Sequence, residues 1–327
     1  MSDITKLAEL CRDKTVYIQT HNFPDPDAIA SAFGLQKLLE RLGVSSTLCY
    51  AGRIDKLSAA KMLEAFGIEM HPYDELRDNM TESDYIICVD SQKNAGNITD
   101  FIGNEVACID HHPVFVETEY QYRDIRMTGA CATLIAEYYA KQNLVPDRDV
   151  ATALVYGLKM DTLQFGRGVT LADIEMFAFL HPHCDWELLA HLERNNMEFS
   201  DLIAYGAAID SIRLYGKEGI CMIPFDCPNA LIATISDFIL SLEEVEIAVV
   251  CATRPDGIRI SVRSETEGVH AGHLIHEALQ GVGDGGGHAA MAGGLIPTEH
   301  LSLLGNFPEE RVRTLFLEAL ERGKGGK

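Results

Sequence analysis

The chain has 327 residues, 47% of them hydrophobic and 23% charged, with 27 basic against 49 acidic side chains and a formal net charge of −22 at pH 7. This is the composition of a folded protein long enough for roughly two domains, and it excludes wholesale disorder. The charge argues against tight binding to long nucleic acid or to an anionic membrane, since both depend on dense lysine and arginine. The nine cysteines are odd in number, never spaced CxxC, and several lie in apolar runs, which argues against a disulfide framework or a thiolate zinc ribbon. The N-terminus lacks the apolar core of a signal peptide and no run reaches about 18 uninterrupted apolar residues, so a soluble cytoplasmic protein is expected.

In chain order, TVYIQT (15–20) predicts a buried strand and residues 28–43 a helix closed by Gly43. VSSTLCY (44–50), DYIICVD (84–90) and EVACID (105–110) predict further strands, with helices near 56–66, 128–142, 149–160 and 171–180. Strands separated by helices, and apolar on both faces, predict an α/β fold with a doubly wound parallel sheet. Residues 186–215 read as one long amphipathic helix. Beyond Gly216, EGICMIPF, EIAVVCAT and IRISVRS predict strands, with helices near 228–241, 269–280 and 308–322 and a frayed tail. The expected organisation is a first domain over 1–188, a connecting helix over 189–215 and a smaller α+β domain over 216–327.

Chemistry concentrates at the ends of predicted elements. His21-Asn22-Phe23-Pro24-Asp25-Pro26-Asp27 follows the first strand, where open α/β sheets bind ligands. Read alone it is equally a polar turn with Asp27 capping the next helix. Three more clusters change that balance: Asp90 ends one strand, Asp110-His111-His112 ends another, and Asp161 ends a predicted helix. Carboxylates and imidazoles without thiolate suit Mn²⁺ or Mg²⁺. A pair of such ions sharing a carboxylate is a device for phosphoester hydrolysis.

HNFPDPDA, CVD, DHHP and GLKMDT resemble, in order and spacing, the four motifs of the DHH phosphoesterases. Arg263 in ISVRS, followed by Gly285-Gly286-Gly287-His288 and AAMAGG, resembles the signature of their DHHA1 subtype, and the likeness runs from about residue 14 to 322. It implies two divalent cations, Mn²⁺ before Mg²⁺. His21, Asp25 and Asp90 would hold one, and Asp27, Asp90, His111 and Asp161 the other, with Asp90 bridging. Asp110 would orient His111 through its free ring nitrogen. His112 would face the substrate phosphate as general acid or charge partner. Arg263, the three glycines and His288 would bind the far side of the substrate in an inter-domain cleft. Relatives often dimerise through the first domain, so a homodimer is among the expected partners.

Two positions depart from the pattern. Pro26 stands between the first motif's aspartates where glycine is usual, and Asp284 replaces a fourth glycine, with Met291 where a smaller residue is common. Several weaker signals have ordinary explanations. His270, His273 and His276 read as surface or capping residues, His181-Pro182-His183-Cys184 as a helix stop with Asp185 as the next cap, and Tyr138-Tyr139 as core or interface. Arg167 is within reach of the site or a loop arginine.

The resemblance implies hydrolysis of short oligonucleotides or small phosphorylated nucleotides: nanoRNA, 3′-phosphoadenosine 5′-phosphate, or linear and cyclic dinucleotides. The alternatives are pyrophosphate or polyphosphate hydrolysis, or a non-catalytic nucleotide sensor. Asp25, Asp27, Asp90 and Asp161 would have their charge offset by the ions, so the overall acidity disfavours a long polymer, not a few phosphates.

Overall fold

A computed structural model describes residues 3–54, 57–114, 116–194, 197–266 and 268–325. The chain divides into two compact units, Met1–Asn196 and Met197–Lys327.

The first unit runs α1 (Ile4–Cys11), β1 (Val16–Gln19), α2 (Pro26–Arg41), β2 (Thr47–Tyr50), α3 (Leu57–Phe66), β3 (Met70–Pro72), α4 (Tyr73–Leu76), β4 (Tyr85–Val89), β5 (Asn104–Asp110), β6 (Tyr122–Ile125), α5 (Cys131–Lys141), α6 (Arg148–Asp161), α7 (Leu171–Leu180) and α8 (Trp186–Arg194). Its six strands form one sheet in the order β3-β2-β1-β4-β5-β6, and every pair is parallel. Strand order reverses between β1 and β4, the place where such sheets open a crevice beyond their carboxyl ends. All four residues of β1 are buried, as are the last four of β4, as befits strands covered on both faces.

The two faces are covered unequally. One carries the main core, with Ile29, Leu35 and Leu38 of α2 packed among Ile135 of α5 and Leu154 of α6. Helix α2 is buried around most of its circumference over its first ten residues, which is why they read as small and apolar. A Cβ at Gly34 would lie 3.0 Å from both Ile135 and Leu154, so glycine sets how closely the three helices pack. The opposite face carries a smaller cluster of Tyr17, Cys49, Cys88, Cys108 and Phe101, joined by Tyr73 and Leu76 of the short α4. All nine cysteines are free and buried.

The second unit runs α9 (Asp201–Ser211), β7 (Arg213–Tyr215), β8 (Glu218–Ile223), α10 (Asn229–Leu240), β9 (Ile247–Arg254), β10 (Gly257–Ser264), α11 (Ala271–Leu279), β11 (Asp284–Gly287), β12 (Met291–Pro297) and α12 (Pro308–Gly325). Its sheet is mixed, in the order β11-β12-β10-β9-β8-β7, with only β8 and β9 parallel.

Three expectations change. The single helix over 186–215 is two helices, α8 and α9. Asp201 accepts a hydrogen bond from the Glu198 amide at the start of the second, while Asn195 and Asn196 lie outside the described residues. The tail expected to fray continues α12 to Gly325, and the last two residues lie outside the described set. Gly285–Gly287, for which the sequence pattern predicts no strand, form an edge strand paired with β12.

Candidate metal centre

Each chemical residue of the first unit is delivered by the end of an element. Asp25 caps α2, its Oδ1 accepting from the amides of Asp27 (3.1 Å) and Ala28 (3.2 Å). This corrects the assignment of the cap to Asp27. It also accounts for Pro26: proline at the first helical position loses no hydrogen bond and favours the extended backbone that Asp25 adopts, with φ −101° and ψ 179°. Asp27, fully buried, turns instead to the start of α5, where its carboxylate accepts from the amides of Cys131 (2.7 Å) and Ala132 (3.0 Å).

Asp90 follows β4. Its amide still donates to the Ile109 carbonyl, and then its backbone turns left-handed at φ +56°. Asp and Asn tolerate that region better than other side chains. Asp161 closes α6. A Cβ at Gly157, one turn earlier, would lie 2.9 Å from Ala30 Cβ and 3.0 Å from Asp27 Cα, so glycine lets α6 cross α2 at the level of Asp27. Gly157→Val is expected to push the helices apart at a cost of about 1–3 kcal/mol. Mn²⁺ affinity should fall with it, as isothermal titration would measure; unchanged affinity would show that the crossing does not position Asp27 and Asp161.

These ends converge into two adjoining groups, His21–Asp25–Asp90 and Asp27–His111–Asp161, with a third, Asp90–His111–His112, overlapping both; in each, one potential ligand atom per residue lies within 4.8 Å of the others. Asp90 stands between the first two. Its Oδ2 is 3.6 Å from His21 Nε2 and its Oδ1 is 3.3 Å from His111 Nε2. His111 Nε2 is also 3.5 Å from Asp161 Oδ2 and 3.9 Å from Asp27 Oδ2. The other nitrogen of each ring is tied to a carbonyl, His21 Nδ1 to Asn22 (2.8 Å) and His111 Nδ1 to Thr128 (3.0 Å), which turns both Nε2 atoms toward the carboxylates.

The electrostatics describe a crowd of negative charge. Burial, and then the charges of Asp90 and Asp161, push the Asp27 carboxyl well above the usual range. Burial and the Asp25 carboxylate push Asp161 up to about 6. Burial alone would lower His111, but the adjacent Asp90 and the other carboxylates raise it to about 11. Burial would likewise raise Asp90, yet the neighbouring His111 and His21 hold it down to about 2. Asp90 Oδ1 is buried and accepts no hydrogen bond. An acceptor of that kind, facing imidazole nitrogens held in one orientation and ringed by carboxylates, fits a divalent cation. His21, Asp25 and Asp90 would hold one ion and Asp27, Asp90, His111 and Asp161 a second.

Asp110 does something other than expected. It does not meet the His111 ring, which Thr128 holds. Its Oδ1 accepts from the His111 amide (2.8 Å) and from His112 Nδ1 (2.8 Å), and its Oδ2 from Gln92 (2.7 Å). Asp110 therefore fixes the turn and the His112 ring, whose side chain is 42% exposed. Burial would lower the His112 pKa, but Asp110 and then Asp90 raise it above the ordinary value.

Gln92 was not singled out from the sequence. Buried two residues past Asp90, it also donates to the carbonyls of His112 (3.1 Å) and Pro113 (3.4 Å). Gln92→Leu is expected to reduce kcat by about 10–100-fold while Mn²⁺ affinity changes little. An unchanged kcat would remove it from the site's support. Asp173 was missed as well. Fully buried on α7, it accepts from the Gly129 amide (2.8 Å) and the Thr133 hydroxyl (2.5 Å), fastening the segment that offers Thr128 to His111 and the start of α5 to Asp27. Arg167 lies at the edge of the site, donating to the Asp161 carbonyl (3.0 Å).

The other histidine clusters keep their ordinary readings. His270 caps α11 and stacks on His273 with ring centroids 4.1 Å apart, and His181 packs against Trp186 at 4.5 Å. Asp185 accepts from the Leu188 amide at the start of α8. Tyr138 and Tyr139 are buried in the core.

In the second unit, Arg263 is held on β10 by Asp237 of α10, which Nε meets at 2.5 Å, and by Ser261 (3.1 Å). Asp237 is a further residue the sequence did not flag. Arg263 lines a cavity of about 590 Å³ with Asn229, Arg259, Asp284, Gly285 and Gly293. The glycine run is structural in part. A Cβ at Gly285 would lie 2.9 Å from Ile275, and one at Gly287, where φ is +154°, would lie 2.4 Å from the Met291 carbonyl. Gly286 faces open space, and His288 is exposed past the strand, its amide donating to Met291.

Element ends of a parallel sheet and its helices thus gather four aspartates and two histidines, with Asp90 between the two groups, and a mixed-sheet unit follows in the chain. The chain belongs to the DHH family, whose N-terminal domain model matches residues 15–158, and it carries a DHHA1 domain over residues 216–314. An uncharacterised protein of Methanocaldococcus jannaschii is 28% identical over 93% of this chain, an alignment that spans 63% of that protein's length. The cyclic-di-AMP phosphodiesterase GdpP of Geobacillus thermodenitrificans is 26% identical over 85% of this chain and 44% of its own length. A manganese-dependent inorganic pyrophosphatase of M. jannaschii is 31% identical over 49% of this chain and 52% of its own. Among solved structures, an exopolyphosphatase-related protein of Bacteroides fragilis shares the fold with a TM-score of 0.79 at 20% identity, covering 98% of this chain and 95% of that one. No helix among the described residues is long and apolar enough to cross a membrane.

Proposed function

We propose that this chain is a metal-dependent phosphoesterase acting on short oligonucleotides or small phosphorylated nucleotides. The observation that carries the reading is Asp90, whose two carboxylate oxygens face two separate groups of ligand-type side chains. Two bound divalent cations, Mn²⁺ in this reading, would acidify a water molecule and offset charge on the phosphoryl oxygens. The chain's own residues orient and move protons around them. Asp110 holds His112 by Nδ1, which would leave Nε2 to give a proton to the departing oxygen. Arg263, preorganised by Asp237, and the Gly285–His288 segment would bind the substrate's other phosphate or its sugar.

A nucleotide substrate is favoured over pyrophosphate because the phosphodiesterase relative aligns along both units, whereas the pyrophosphatase aligns along about half of the chain. The deciding assay is a side-by-side panel with Mn²⁺: a dinucleotide, a linear diadenylate, 3′-phosphoadenosine 5′-phosphate, pyrophosphate and a long single strand. Turnover of the first three above the last two is expected. Turnover of pyrophosphate alone would replace this reading with the phosphoanhydride one, and release of no product from the whole panel would leave the sensor reading.

A further inference from the structure

Between the two first-motif ligands His21 and Asp25 stands a residue with no part in metal chemistry. Phe23 holds a left-handed backbone, φ +59°, and the residue is 51% exposed. Bulky side chains rarely adopt that conformation, and glycine or asparagine would adopt it with less strain. Burial does not compensate, since the residue as a whole is half exposed.

The loop is nonetheless firmly held. The Phe23 amide donates to the Ala51 carbonyl (3.3 Å), and the Asn22 amide to Asn97 (2.7 Å). Asn22 Oδ1 accepts from the Thr99 amide (3.1 Å). The ring rests against Gly52, itself at φ +79°, where a Cβ would come within 3.0–3.2 Å of three ring carbons. One part of the ring is thus seated on bare backbone and the rest is open. A single residue separates Phe23 from His21 and from Asp25, so its Cα lies within roughly 7 Å of each of theirs.

An aromatic surface fixed in place beside a phosphate-binding centre suits a nucleobase, which hangs one sugar away from its phosphate. Stacking on a side chain that is already ordered adds affinity without a further ordering cost. We infer that Phe23 is a stacking platform for a base of the substrate, and hence a determinant of selectivity for nucleotides over base-free phosphates. This rests on the nucleotide reading of the metal centre.

The test is a cycle of two enzymes and two substrates, in Mn²⁺: wild type and Phe23→Ala, each with a dinucleotide and with the same dinucleotide made abasic at one position or the other. Phe23→Ala is expected to raise KM for the intact dinucleotide roughly 10–100-fold, with kcat within a few-fold and little change on one of the abasic analogues. Phe23→Trp should restore the lost affinity. Gly52→Ala, which crowds the ring's seat without altering the ring, should reproduce part of the loss. Mn²⁺ binding by titration should be the same in all four proteins. Equal KM values for wild type and Phe23→Ala on the dinucleotide overturn the proposal. So does a loss of equal size on the intact and both abasic substrates, or one that tracks weakened Mn²⁺ binding, since either marks a purely structural role. If wild type turns over no nucleotide, the functional reading and the platform fall together. If it does so and the cycle shows no coupling, only the platform falls.

Discussion

Asp90→Asn is expected to lower turnover at least about a thousand-fold while leaving the protein folded. The two oxygens of Asp90 serve two groups of side chains at once, 3.6 Å from His21 and 3.3 Å from His111. Asparagine keeps the shape and tolerates the left-handed backbone at this position, but offers one neutral oxygen in place of a shared charge. Mn²⁺ titration should accordingly fall from two sites to at most one weakened site, with the melting transition still cooperative. Activity within ten-fold of wild type, or two sites of unchanged affinity, would sink the shared-carboxylate assignment. Alanine at the same position should be at least as damaging, so the pair of variants separates loss of charge from loss of shape.

Metal and pH should act on stability in opposite senses. In the metal-free protein Asp161 is raised from 3.8 to about 6, and Asp27 is also raised. The folded state therefore holds protons that the unfolded chain releases, so stability is lost as pH climbs from about 4 past 6. His111, raised to about 11, adds stability that is fully present below about 6.5 and drains away as pH rises toward 11. Asp90 has the opposite sign, but with a value of about 2 its contribution is lost only on strong acidification. Between pH 5 and pH 8 the net direction is downward. A carboxyl displaced by about two pH units carries on the order of 3 kcal/mol, which is several degrees in Tm.

Metal ligation needs the deprotonated forms, so the stabilisation by Mn²⁺ should grow over the same interval. Thermal melts are thus expected to show the metal-free protein highest near pH 5 and the largest Mn²⁺-induced rise near pH 8. Asp161→Asn should flatten the metal-free profile. A metal-free Tm that rises from pH 5 to pH 8, or Mn²⁺ shifts of equal size at both, would contradict this account.

What the sequence disclosed tracks how local the cause is. The buried strands β1, β4, β5, β8, β9 and β10 announce themselves as apolar runs because both faces are covered. The strands that went unread, β3, β6, β7, β11 and β12, lie at or next to sheet edges. Met70-His71-Pro72 ends in proline, Tyr122–Ile125 alternates with charge, and Asp284–Gly287 has almost no side chains to pattern. The metal-type residues were legible because each ends or follows an element, and their order along the chain matches a family pattern. Their supports were not. Gln92, Asp173 and Asp237 act through partners 18, 44 and 26 residues away, and such pairings leave no periodic trace. Asp110 was placed correctly but given the wrong partner, because sequence proximity cannot say which of two adjacent rings a carboxylate will meet.

The convergence of strand ends also sets an order of assembly during synthesis. His21, Asp25 and Asp90 have all been synthesised before the DHH turn is made, and they follow two neighbouring strands of one sheet. The second group cannot close until α6 has emerged and docked on α2, 50 residues beyond His111, because Asp161 is its last member. A growing chain thus possesses every member of the first group well before the second, which is completed only when the helical layer of the first unit is.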